Sequence, residues 1–144
     1  MADGVFNVGK GHVAEMFRAS PNSGILLMLS AAEADSALQD RTDLSDLLGA
    51  AGNTEATNTG YSRKTGIAVT VTIDQSNDRV DVDMADQTFS SVASGGTWDK
   101  AVFAHERTAS EAGRIPCTHQ DTTITPDGSD ITIELNASGF FRAS

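Results

Sequence analysis

Three histidines (His12, His105 and His119), one cysteine (Cys117) and an aspartate run (Asp74, Asp78, Asp81, Asp83, Asp86) are the residues best equipped for chemistry. A zinc site or an acid–base centre needs at least two such groups converging with a carboxylate or thiolate. Cys117 lies close to His119-Gln120-Asp121 and His105 falls on an expected strand, and these are residue types that a Cys/His metal site uses. Yet no Cys-x-x-Cys or His-x-x-x-His pair places two ligands on one element. Scattered structural histidines are the default, and Cys117 reads as a small buried hydrophobe. Calcium wants about six to eight oxygens, but the EF-hand ligand order and its central glycine are missing. On a hairpin, Asp81 and Asp83 share the outward face, which favours a solvated strand edge guarded by like charge against strand pairing.

Other signals for catalysis are weaker. Gly9-Lys10-Gly11 lacks the longer glycine-rich frame and the Ser or Thr of a phosphate loop, and Gly95-Gly96-Thr97 reads as a turn. There is no Gly-x-Ser-x-Gly elbow for a nucleophile. Trp98, Tyr61 and Phe89 could line a sugar- or peptide-binding face, although aromatics on strands are more often core. The sequence therefore assigns no catalytic residue, metal or cofactor, and the chain is expected to bind rather than catalyse.

The elements that would carry these residues follow from hydrophobic period. Residues 1–20 are ambiguous: Val13, Met16 and Phe17 have helical spacing, while Val13, Glu15 and Phe17 also make one face of a strand. They form a candidate N-terminal arm. After the turn signal Ser20-Pro21-Asn22-Ser23-Gly24, the run Ile25–Leu29 has the length of a strand buried on both faces. From Ala31 to Ala51 the spacing of Ala34, Ala37, Leu38, Leu44, Leu47 and Leu48 predicts short helices lying on a sheet, with Thr42 as a cap and Asp43 in the first turn. Beyond Gly52, β-branched residues alternate with polar ones. A hairpin is expected from Ile67–Ile73 and Val80–Met84 around Asp74–Asp78, with further strands at 57–64, 87–92, 101–106, 115–118, 121–125 and 131–135. The fold class is mainly β with one or two short α-helices (α+β), an antiparallel β-sandwich or small barrel. Phe140 and Phe141 near the C-terminus must pack somewhere, in this subunit's core or on a neighbour.

Composition bounds the rest. The 144 residues suit one domain, 1–144, and 39% hydrophobic with 21% charged residues implies a folded chain. The longest apolar run is far short of the roughly 20 residues needed to cross a bilayer, and no secretion signal is read in residues 1–20. A net charge of −10, from 20 acidic and 10 basic residues, opposes binding to a phosphate backbone or an anionic membrane. The expected partners include neither nucleic acid nor membrane, and synthesis in a cytoplasm is expected.

Several segments together resemble a family of small tailed-bacteriophage proteins. They are Phe6-Asn7-Val8-Gly9-Lys10-Gly11-His12-Val13-Ala14-Glu15, the aliphatic strand after Asn22-Ser23, Tyr61-Ser62-Arg63-Lys64, Asn77-Asp78-Arg79-Val80-Asp81-Val82-Asp83, Asp127-Gly128-Ser129-Asp130 and Gly139-Phe140-Phe141-Arg142-Ala143. The resemblance runs through nearly the whole chain, although the segment after Tyr61 is shorter than in the family. It implies a non-enzymatic virion structural protein, made in the host cytoplasm. The leading expectation is a capsid decoration (cement) protein bound to the major capsid protein and to copies of itself, with a trimer favoured by analogy. A tail-tube, neck or head-to-tail connector subunit is the main alternative, and a receptor- or glycan-binding module the second. No family residue role transfers by position. The candidate assembly contacts are Phe6, Phe140, Phe141 and Arg142, the last three within a C-terminal anchoring segment, 139–144.

Overall fold

Five consecutive aliphatic side chains are buried together only if both faces of their strand are covered, and the fold is built around that requirement. The computed structural model describes residues 3–6 and 13–144, so His12 and Gly9-Lys10-Gly11 lie outside the described residues. In chain order the strands are β1 (Gly4–Val5), β2 (Gly24–Ala31), β3 (Thr54–Glu55), β4 (Lys64–Ile67), β5 (Val69–Asp74), β6 (Arg79–Met84), β7 (Gln87–Phe89), β8 (Trp98–Glu106), β9 (Arg114–Ile124), β10 (Ile131–Ile133) and β11 (Phe141–Ala143). The helices are α1 (Val13–Ala19), α2 (Asp35–Leu38) and α3 (Leu44–Gly49). The main sheet has the order β1-β9-β8-β2-β3, with β4 also on β2, and every pairing is antiparallel. Leu26 and Met28 of β2 enter one core cluster, and Ile25, Leu27 and Leu29 enter the other. Each is fully buried, worth about 1.5–3 kcal/mol per side chain relative to exposure.

Helices close one face. Leu38, Leu44 and Leu47 join Ile25, Leu27, Leu29, Val102 and Phe6 in that cluster. The cap of α3 is Asp43, not Thr42: the Asp43 carboxylate accepts from Asp46 N at 2.9 Å, while the Asp46 carboxylate accepts from Thr42 N at 3.1 Å. Asp46 N in the first turn and Thr42 N just before the cap are thus satisfied reciprocally, in the manner of a capping box.

Two small sheets and α1 close the other face. Val69, Val82, Met84 and Phe141 from the sheet β11-β6-β5, together with Phe89 and Ile133 from the pair β7-β10, pack on Leu26, Met28, Trp98 and Phe103. The layering is that of a β-sandwich with helices on its outer side. The hairpin forms around Asp74–Asp78 as expected, with Val71↔Val82 and Ile73↔Val80 in register, but the strand expected over Ile67–Ile73 is divided: Ile67 ends β4, which pairs with β2, and only Val69–Asp74 pairs with β6. The hairpin's apolar face is buried only at the base, where Val69 is 5% exposed, whereas Ile73 near the turn is 56% exposed. Because β11 pairs along β6, Asp81 and Asp83 sit on a central strand and not on an edge.

Three further expectations change. The strand expected at 57–64 is a turn, since Tyr61 N donates to Asn58 O and Gly60 has φ +90°. The strands expected at 115–118 and 121–125 are one, β9, which the polar residues around His119 had divided. The ambiguous segment before Ser20 is helical from Val13, with Val13 and Phe17 buried.

Candidate functional site

The described residues among those singled out for chemistry do not converge. Among the described residues, no group of three or more His, Cys, Asp or Glu is arranged to hold a metal ion. Cys117 is fully buried, and burial pushes its thiol up to about 12. His105 and His119 are 4% and 1% exposed; neither ring nitrogen of His119 has a hydrogen-bond partner among the described residues, and the His105 ring has the Met16 backbone near it but no well-formed hydrogen bond. Burial lowers the pKa of both, so both rings are neutral packing groups. His105 stands edge-on to Phe17 at 5.1 Å and His119 edge-on to Phe6 at 5.5 Å. The aspartate run is used locally. Asp74 accepts from Ser76 N and Asn77 Nδ2 in the turn, Asp81 pairs with Arg79 and Arg142, and Asp86 accepts from Leu135 N.

The aromatic face is core. Trp98 is fully buried, donates Nε1–H to Asn58 Oδ1 at 2.9 Å and packs at 5.3 Å from both Tyr61 and Phe89. Phe6, Phe140 and Phe141, expected as contacts with a neighbour, are 0%, 6% and 7% exposed in their own chain. Phe140 stacks on Phe103 and stands edge-on to Phe17, and Phe141 pairs with Val82 across β6–β11. The terminal rings are therefore intrachain core, because β11 adds a strand to β6. Only Arg142 of the four faces solvent, paired with Asp81 at 2.6 Å.

Two polar constellations escaped sequence reasoning. Lys100, with a side chain 0% exposed, is held by Asp35 at 2.7 Å and by Asp121. Burial opposes its charge, but the hydrogen bonds it donates to Asp121 and Asp35 outweigh it and leave the ammonium above its ordinary range. A lysine inside the apolar strand Trp98–Ala104 was the available signal, because a buried charge requires partners. The second constellation links Arg63 to Glu55 and Glu111, and Arg114 to Glu111 and Glu106. It ties the β3–β4 connection to the β8–β9 turn. The Tyr61 hydroxyl accepts from Met28 N and donates to Glu55, and burial holds its proton above the ordinary tyrosine range.

The surface best suited to binding is the tip of the β5–β6 hairpin. An open groove of about 680 Å³ is lined there by Ile73, Asp74, Asp78, Arg79, Val80 and Ala143. Ile73 is the large apolar side chain left in solvent among the described residues. Beyond Val69, whose N–H donates to Pro21 O, no described strand pairs with the outer edge of β5. An unpaired strand beside an apolar tip can accept an extended segment from a partner.

No protein-family model matches the chain, and neither a curated protein nor a solved structure gives a significant match.

Proposed function

We propose that this chain is a structural protein of a tailed-bacteriophage particle that decorates and stabilises the outer surface of the capsid by binding the major capsid protein. The observation that carries the reading is the β5–β6 hairpin, with the unpaired outer edge of β5, the groove at its tip and Ile73 in solvent. The family resemblance supplies the particle, and the hairpin supplies a means of attachment. The net charge of −10 agrees with an outward location and opposes direct contact with packaged nucleic acid. Copies of the chain meet around a local symmetry axis of the capsid, with a trimer favoured by analogy.

Electron microscopy of intact particles, combined with copy number per particle, tests the reading. The expected result is density over the capsid, with a copy number near that of the major capsid subunits. Density confined to the tail or neck, or only a few copies, would overturn it. Ile73→Glu should leave the chain folded and weaken attachment to capsids about tenfold or more, the loss expected when one buried aliphatic contact is removed.

A further inference from the structure

The Lys100 cluster has the parts of an amide-forming site. Lys100 lies directly across the β8–β9 ladder from Asp121, and Asp35 reaches the same ammonium from the start of α2. On its other flank Lys100 faces Leu29 of β2, itself fully buried, and its ammonium is held between the two carboxylates with His119 nearby. Asp35 and Asp121 keep side-chain exposures of 23% and 21%, which leaves a path for a released water molecule.

We propose that Lys100 Nζ and Asp121 Cγ condense to an intramolecular isopeptide bond, with Asp35 relaying protons. The Lys100 ammonium carries three hydrogens. One passes by way of Asp35 to the Asp121 carboxylate, and the neutral amine attacks Cγ of the resulting carboxylic acid, forming the N–C bond. Breaking the C–O bond expels the Asp121 oxygen as water, which carries the proton relayed by Asp35 and takes a second from the former ammonium. The third stays on the amide nitrogen. Nothing is oxidised or reduced, and Asp35 is regenerated. The two carboxylates hold the ammonium charged and so slow the first proton transfer, and two features offset this: the reacting groups are held in contact by strand register, which replaces a bimolecular encounter, and a neutral amide takes the place of a buried ion pair.

Peptide mapping of the full-length chain by mass spectrometry decides the matter. Trypsin does not cut at a linked Lys100, so the expected product is a branched species joining residues 80–107 to 115–142, one water lighter than their sum. Reading the branch separates this link from a succinimide at Asp127–Gly128, which also loses water but joins nothing. Lys100→Met should abolish the branch. Asp121→Asn should still give it, releasing ammonia in place of water, and Asp35→Asn should slow its formation about a hundredfold or more. Free peptides 80–100 and 101–107 in full yield from the unaltered chain would overturn the proposal. A branch joining 80–107 to 19–41 would overturn the assignment to Asp121, and undiminished linking in Asp35→Asn would overturn the relay.

Discussion

Cys117 and Gly139 show how differently a single residue can be constrained. Cys117 is a thiol that water does not reach, held near 12, and the nucleophile in disulfide exchange is the thiolate. It should stay unmodified by an aromatic disulfide reagent at pH 8 in the native chain and react fully in denaturant; rapid native labelling would contradict the burial. Gly139 is constrained by its backbone. Its φ is +82°, and an added Cβ would lie 2.1 Å from Val82 O, the atom that accepts from Phe140 N where the chain joins β6. Gly139→Ala should cost about 2–4 kcal/mol in denaturant unfolding; a cost within measurement error would mean that the turn relaxes freely. Burial of Cys117 was legible from residue type alone. The pairing of Lys100 was not, because its partners lie 21 and 65 positions away and only the folded sheet brings them together.

At the scale of elements, legibility followed the strength of local pattern. The aliphatic run of β2, the β5–β6 hairpin and the paired helices announce themselves by period and turn chemistry. The length of β9 does not, since a neutral buried histidine looks like a surface residue until the sheet covers it. Nor does β11: three residues carry no period, and only their pairing with β6 makes them a strand. That pairing decides what the terminal rings do. Removing residues 139–144 takes away Phe140 and Phe141 and uncovers β6, at a cost of roughly 3–6 kcal/mol for the rings alone. The truncated chain should lose its cooperative unfolding transition or melt far lower; a folded truncated monomer that merely fails to assemble would place the rings on a neighbour instead. Asp43→Ala, by contrast, removes one helix cap and should cost about 1 kcal/mol.

For the molecule as a whole, the two buried histidines make stability depend on pH near neutrality. His105 packs on Phe17 of α1, with Glu106 and Arg107 as its charged neighbours; His119 packs on Phe6, near Lys100, Asp35, Asp121 and Asp3. Each imidazole takes up a proton around 6.5 in the unfolded chain but only at lower pH when folded. Between those values the unfolded chain binds more protons, so stability rises with pH across the window and is lost as pH falls from 6.5 toward the folded values. A second loss lies further down, where Glu33, held below its ordinary 4.5 by hydrogen bonding to Arg41, and Asp127, held below 3.8 by Ser129, become protonated. Those carboxylates stabilise the fold above their unfolded values and cease to as pH falls through their folded ones. Unfolding free energy measured by denaturant from pH 8 to pH 3 should therefore decline in two stages, the first beginning near 6.5. Because the imidazoles pack against Phe6 and against Phe17 of α1, charging them should loosen α1 first, seen as protease cleavage within Val13–Ala19 at pH 5.5 under conditions that leave the chain intact at pH 7.5. Ring titrations near 6.5 by nuclear magnetic resonance, with stability flat between pH 7.5 and 5.5, would show that water reaches both histidines and that the N-terminal rings do not depend on their neutrality.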